Sequence, residues 1–146
     1  MQTFLPYDDF VRSMQCLDYR RLGKQRVECF QLLKSLGNTE DVYLDDVDMG
    51  KPNKGWVNHP ARNMWRGHEG LLAVYHDEAI GEWIARGYNN TMKYRSKPGL
   101  HSAPAWLGDP AFHASHRSNL LRKAPEHYGQ FGWTESPDLE YVWPSV

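Results

Sequence analysis

The chain has 146 residues, of which 40% are hydrophobic and 24% charged, proportions typical of one soluble globular domain. No apolar run approaches the roughly 18 residues that a membrane span needs. The opening residues 1–6 lack the basic and long apolar regions of a signal peptide, and two cysteines are too few for a disulfide framework or a zinc site. We therefore expect a cytoplasmic, monomeric protein with a single domain spanning 1–146.

The net charge of −1, from 17 basic and 18 acidic residues, argues at first against nucleic acid as a partner. The charges are unevenly distributed, however. Basic residues outnumber acidic ones in 12–34, 51–66 and 113–123, whereas 40–48 contains five acids and no base. A net charge near zero can hide a basic face, so the total does not exclude DNA as a substrate.

The first predicted helix is long. It starts at a cap provided by Asp8 or Asp9 and runs to Leu36, where Gly37 is a stop signal. Gly23 lies inside this helix, which predicts a kink or a close backbone approach at that position. Residues 37–57 read as a loop with weak strand character.

A second helical region is predicted to begin near Pro60, with Asn58 as its cap. It ends at Gly87, a favoured residue after a helix C-terminus, and is broken near Gly67 or Gly70.

A third helix is predicted from the Asp-Pro pair at 109–110 to Lys123. Residues 88–108 are irregular, and the last twenty residues are rich in aromatic residues and proline. The sequence therefore predicts a mainly α fold: one compact domain of about three principal helices, with irregular, aromatic-rich loops and C-terminal segment.

The first helix carries the most unusual polar pattern. Asp18, Arg21, Gln25 and Glu28 are spaced by 3, 4 and 3 residues and so share one face. Such a stripe is often the solvated side of an amphipathic helix. The functional interpretation is that Glu28 is a carboxylate kept ionised among guanidinium and amide groups, able to act as a base.

Four cations also lie within seven positions of this helix, a density that suits phosphate contacts: Arg20, Arg21, Lys24 and Arg26.

Two further segments combine histidine and arginine. His59 precedes a predicted helix on which Arg62 and Arg66 are one turn apart, which indicates either an ordinary capped helix start or a phosphate site.

In the third helix, His113 and His116 have a spacing compatible with metal ligation, but no His-Glu or Cys partner is near. We favour polar or phosphate contacts for His116 and Arg117 and expect no metal or other cofactor.

Taken together, these motifs resemble the pyrimidine-dimer DNA glycosylases of the phage endonuclease V type, and more closely their bacterial relatives. The resemblance rests on the order and spacing of short motifs along most of the chain. They are the arginine-rich run with a glutamate at 20–28, the Asn-His-Pro at 58–60, the Arg-Gly-Tyr turn at 86–88 and the Tyr-Gly-Gln-Phe-Gly at 128–132.

The resemblance implies a double-stranded DNA substrate that carries a damaged pyrimidine such as a cyclobutane dimer. It implies that the chain's own α-amine attacks C1′, forms an imine and then cuts the strand by β-elimination, without a metal. Because Gln2 is large, removal of the initiator methionine is disfavoured, so Met1 would supply the amine. We assign the catalytic carboxylate to Glu28, with Asp18 as the fallback.

The same resemblance, added to the basic and polar motifs, leads us to expect contacts with DNA from thirteen residues: Gln2, Arg20, Arg21, Lys24, Gln25, Arg26, His59, Arg62, Arg66, His116, Arg117, Lys123 and Tyr128. Tyr128, Phe131 or Trp133 is expected to stack near the lesion, with core burial as the alternative. Two other functions stay open: a glycosylase for another modified pyrimidine, and a non-catalytic DNA-binding protein with the same fold.

Overall fold

The computed structural model describes residues 2–45 and 58–144, and this part of the chain forms six α-helices and one 3-10 turn. The helices are α1 (Phe10–Cys16), α2 (Tyr19–Leu36), α3 (Pro60–Asn63), α4 (Glu69–Ala85), α5 (Pro110–Lys123) and α6 (Pro125–Tyr128), followed by the 3-10 turn Gly129–Phe131. The prediction of a mainly α fold is confirmed. Within these residues no helix is long and apolar enough to span a membrane.

The three long helices are α2, α4 and α5, and α2 packs along α4. At Gly23 the backbone of α2 lies close to α4, because a Cβ at that position would lie 3.2 Å from a ring carbon of Trp83. The prediction of a close approach at Gly23 is therefore confirmed. A Cβ there would require the Trp83 ring to move by a few tenths of an ångström.

The predicted first helix is in fact two helices, α1 and α2, which are separated at Leu17 and Asp18. Asp9 caps α1 as predicted, but Asp18 adopts an extended conformation and caps α2 by accepting the backbone N–H of Arg21. The Tyr128 hydroxyl also accepts the Asp18 N–H and donates to its carboxylate. The break is therefore fixed by a residue 110 positions away, which no local pattern could show.

The second helical region is broken at Gly67, as predicted, into α3 and α4. Its cap differs from the prediction: the His59 ring, not Asn58, accepts the N–H of Ala61 through Nδ1, at 3.0 Å.

Helix α5 has the predicted bounds. Its start is fixed by Asp109, whose carboxylate accepts the Ala111 N–H. In the predicted loop, Val42 forms an isolated β-bridge with Ser96, and 46–57 lies outside the described residues.

The N-terminal segment, residues 2–6, is extended and buried among the helices. The hydrogen-bonding groups of Leu5 pair with two histidines of α5, since its N–H donates to His116 Nδ1 at 2.9 Å and its carbonyl lies 2.7 Å from His113 Nδ1. His113 Nε2 accepts the Gly108 N–H, so its Nδ1 carries the proton and donates to Leu5. Side chains thus replace the sheet partner that this extended segment lacks.

The state of His116 predicts a pH dependence of stability. Complete burial, with the charges of His113 and Arg117, lowers the pKa of His116 to about 3 from a usual value near 6.5. The native state therefore keeps His116 neutral, while the unfolded state binds a proton as the pH falls through about 6.5. The free energy of unfolding should be fully retained above that pH and fall by up to about 1.4 kcal/mol per pH unit below it.

Denaturant titrations between neutral and mildly acidic pH measure this slope. His116→Asn keeps an acceptor for the Leu5 N–H without a titrating group, so its slope should be shallower than that of the wild type. Equal slopes for the two proteins would contradict the assignment.

Candidate active site

A cleft of about 1300 Å³ runs along α2, between the N-terminal segment and the start of α6. Seven residues selected from the sequence line it: Gln2, Arg20, Arg21, Lys24, Gln25, Glu28 and Lys123. Sequence positions up to 121 residues apart are therefore brought to one surface. Four of the seven are cations, and the complete lining also contains the carboxylates of Asp18, Glu28 and Glu126, so a phosphate chain would be attracted to the cationic part of the cleft.

Glu28 lies in this cleft, half-buried, three residues beyond Gln25 on the same face of α2. Burial raises the pKa of Glu28, although Lys24, Lys123 and a hydrogen bond from the Gln2 backbone oppose the rise. The sequence analysis expected the surrounding cations to keep this carboxylate at full ionisation, and burial outweighs them. A carboxyl group with a raised pKa is more readily protonated than an ordinary one, which suits it to accepting and returning a proton.

Asp18, the fallback carboxylate, is occupied by the protein itself. It caps α2, forms an ion pair with Arg21 at 3.2 Å and accepts a hydrogen bond from Tyr128. Burial alone would raise the pKa of Asp18, but the hydrogen bonds from Tyr128 and Arg21 lower it. Glu28 is therefore the better proton carrier of the two.

Two backbone groups of Gln2 are held by α2. The Gln2 carbonyl accepts a hydrogen bond from Gln25 Nε2 at 2.9 Å, and the Gln2 N–H, which belongs to the preceding peptide group, donates to the Glu28 carboxylate. The α-amine of the preceding residue is separated from this N–H by only three covalent bonds. Met1 itself lies outside the described residues.

Lys123 enters the cleft from the last turn of α5. Its Nζ lies 5.6 Å from the ring centre of Phe4 and 6.0 Å from that of Tyr141. Partial burial and the positive charges of neighbouring residues, foremost Arg21, lower the pKa of Lys123, while Glu28 opposes this effect. Lys123 and Glu28 thus influence each other across the cleft.

Two of the residues expected to contact DNA are turned into the core. His116 is fully buried against Leu5, and Tyr128 is fully buried against Asp18. His116 accepts the Leu5 N–H through Nδ1 and the Tyr128 hydroxyl binds Asp18, and neither residue lines the cleft.

Gln25 is also inward-facing, with 2% of its surface exposed. Although Gln25 is one of the residues that line the cleft, both ends of its amide bind the N-terminal segment.

Two predicted phosphate-binding arginines stabilise other parts of the chain. Arg62 donates to the hydroxyl and the carbonyl of Ser35 near the end of α2. Arg117 is paired with Glu135 at 2.6 Å and also donates to the carbonyl of Pro6. Neither arginine lines the cleft.

The remaining predicted residues lie apart from the cleft. Arg26 stacks 4.0 Å above the Trp83 ring and donates to Asn90, His59 caps α3, and Arg66 is exposed.

The aromatic side chains at the cleft also differ from those expected. Tyr128, Phe131 and Trp133 stack on one another, with 5.6 Å between the Tyr128 and Trp133 ring centres, and form a cluster beside α6. The rings that line the cleft are instead Phe4, Tyr19, Trp83 and Tyr141. Tyr19 directly precedes the arginine run and is half exposed, a signal that the sequence analysis missed.

Comparison with known proteins agrees with the family resemblance. The family model for pyrimidine dimer DNA glycosylase matches residues 1–96, which include the N-terminal segment, α2 and α4. Comparisons with curated proteins and with solved structures gave no match. The matched region contains Gln2, Gln25 and Glu28 and covers about two thirds of the sequence. The chain therefore belongs to the pyrimidine dimer DNA glycosylase family.

Proposed function

We propose that the protein is a DNA glycosylase with abasic-site lyase activity on damaged pyrimidines such as cyclobutane dimers in double-stranded DNA. The observation that carries this proposal is that Gln25 and Glu28 bind the carbonyl and the N–H of Gln2 in a cleft lined by four cations. An α-amine one residue before Gln2 would be within reach of this carboxylate.

The α-amine of Met1 is the proposed nucleophile. An α-amine has an ordinary pKa of about 7.7–8.0, so a useful fraction is neutral near pH 7. The reaction needs no metal ion, because the amine supplies the nucleophile and Glu28 carries the protons.

The first half of the reaction exchanges the base for the amine. The amine nitrogen bonds to C1′ as the bond from C1′ to the base breaks, and the base leaves after accepting a proton. The C1′–O4′ bond then opens, O4′ gains a proton, the nitrogen loses one, and a C1′=N imine results. Glu28 is proposed to donate and accept these protons.

The second half cuts the strand. Loss of a proton from C2′ is coupled to cleavage of the C3′–O3′ bond, which releases the downstream strand with a 5′-phosphate. Water then hydrolyses the imine and regenerates the amine. Access to C1′ requires the damaged nucleotide to leave the base stack, because the target bond is hidden inside a duplex.

An N-terminal extension tests the nucleophile. Adding Gly-Ser before Met1 moves the terminal amine by up to about 7 Å, so strand cleavage at a cyclobutane dimer should be abolished. The same two residues added after Val146 are the matched control and should leave cleavage intact. Full activity of the N-terminally extended protein would refute the proposal.

Replacing the carboxylate tests the proton carrier. Glu28→Gln should lower the single-turnover cleavage rate by about 10²–10⁴-fold, the usual contribution of a general acid or base. Asp18→Asn is the control, because asparagine also caps helices and its cleavage rate should stay close to that of the wild type. If Asp18→Asn loses cleavage and Glu28→Gln does not, the two roles are reversed.

Salt dependence tests the DNA-binding surface. Arg20→Ala or Lys24→Ala should weaken duplex binding and reduce the slope of log K against log salt by about one. Arg117→Ala removes an ion pair with Glu135 outside the cleft, so it should lower thermal stability and leave that slope unchanged. If Arg117→Ala reduced the salt slope and the two cleft variants did not, the DNA would bind to another face of the protein.

A further inference from the structure

Gln25 is a buried amide whose polar atoms are committed to the protein's own backbone. It is 2% exposed and lies in the middle of α2. Its Nε2 donates to the Gln2 carbonyl at 2.9 Å, and its Oε1 accepts the Phe4 N–H at 3.1 Å and the Tyr75 hydroxyl. Burying an amide is costly unless it is hydrogen-bonded, and here each end has a partner.

The contacts of Gln25 reproduce those of a neighbouring strand. In a parallel sheet, a residue of one strand binds the carbonyl of one residue and the N–H of the residue two positions later in the neighbouring strand. The residue between those two is thereby bracketed. Here the bracketed residue is Thr3, whose hydroxyl accepts the Trp65 indole N–H at 3.0 Å. A chain end usually frays unless it is tied down, and one side chain of α2 performs this task next to the cleft.

Contacts with the backbone of Gln2 limit where the preceding amine can lie. Gln25 holds the carbonyl of Gln2, which belongs to the Gln2–Thr3 peptide group, and Glu28, one turn later on α2, accepts the Gln2 N–H, which belongs to the preceding peptide group. The peptide groups on both sides of the Gln2 Cα are therefore held by α2. Loss of the Gln25 contact would free the Gln2–Thr3 peptide plane while leaving the cations of the cleft in place.

We infer that Gln25 is a positioning residue that orients the N-terminal amine toward C1′ and Glu28, and does not contact DNA. The inference rests on the proposed function, because it assumes that the amine is the nucleophile. Reacting atoms must approach to about 3–3.5 Å in the correct direction, and a misplacement of about 1 Å can cost roughly 100-fold in rate. Gln25 would therefore control the rate of imine formation and have little effect on DNA affinity.

The experiment measures the rate at which borohydride traps the imine on duplex DNA with one abasic site, at saturating DNA, together with the dissociation constant. Gln25→Met has a similar volume and lacks both hydrogen-bonding ends, so trapping should slow by about 100-fold with affinity little changed. Asn119→Leu is the matched control. It removes another buried amide, which donates to the carbonyls of Ser115 and Leu139 rather than to the N-terminal segment, so it should lose stability and retain the trapping rate.

A second variant covers the case in which Gln25→Met does not fold. Gln25→Glu keeps the acceptor for Phe4 and Tyr75 but places a carboxylate oxygen against the Gln2 carbonyl. Its trapping rate relative to wild type should be low at pH 8 and rise as the pH falls, because a protonated carboxyl group can again donate to Gln2.

The outcomes separate the two proposals. Trapping by Gln25→Met at the wild-type rate, or weaker DNA binding with an unchanged rate at saturation, would overturn the positioning role alone. A pH-independent ratio for Gln25→Glu would do the same. If the wild-type protein forms no trapped complex, the proposed function fails as well.

Discussion

The burial of the N-terminal segment is the constraint on which the rest of the structure depends. Residues 2–5 are extended, almost completely buried and outside any sheet, so their peptide groups need partners from side chains. Those partners come from three helices: Gln25 from α2, Tyr75 from α4, and His113 and His116 from α5. The segment thereby fixes the mutual placement of the three long helices, and the helices in turn fix the chain end.

The candidate active site follows from the same arrangement. Where the segment meets α2, a half-buried carboxylate accepts the backbone N–H of Gln2, and cations of the arginine-rich run line the same cleft. Stability and chemistry therefore depend on neighbouring positions of one helix. Gln25 and Glu28 are one turn apart, and both bind backbone groups of Gln2.

Local signals in the sequence predicted much of this fold. Asp109 with the following proline set the start of α5, Gly37 ended α2, and Gly23 marked the contact with α4. The spacing of Gln25 and Glu28 placed them on one face, which is a direct consequence of 3.6 residues per turn.

What could not be predicted depended on distant contacts. The break before α2 requires Tyr128, and the inward direction of His116 requires Leu5, each more than 100 residues away in the sequence. Polar residues such as Gln25 and Arg117 were interpreted as binding DNA because a sequence does not show whether a backbone group of the same chain is the partner. The chain has a net charge of −1, and some of its basic residues are used in contacts within the protein.

The central claim is that the chain's own α-amine reacts with DNA, and mapping the covalent complex tests it most directly. The wild-type protein is reduced with borohydride on abasic-site DNA, digested and analysed by mass spectrometry. The account predicts that the sugar remnant is attached to the α-amine of the peptide that begins at Met1. A remnant on Lys123, the lysine of α5 that lines the same cleft, would contradict it.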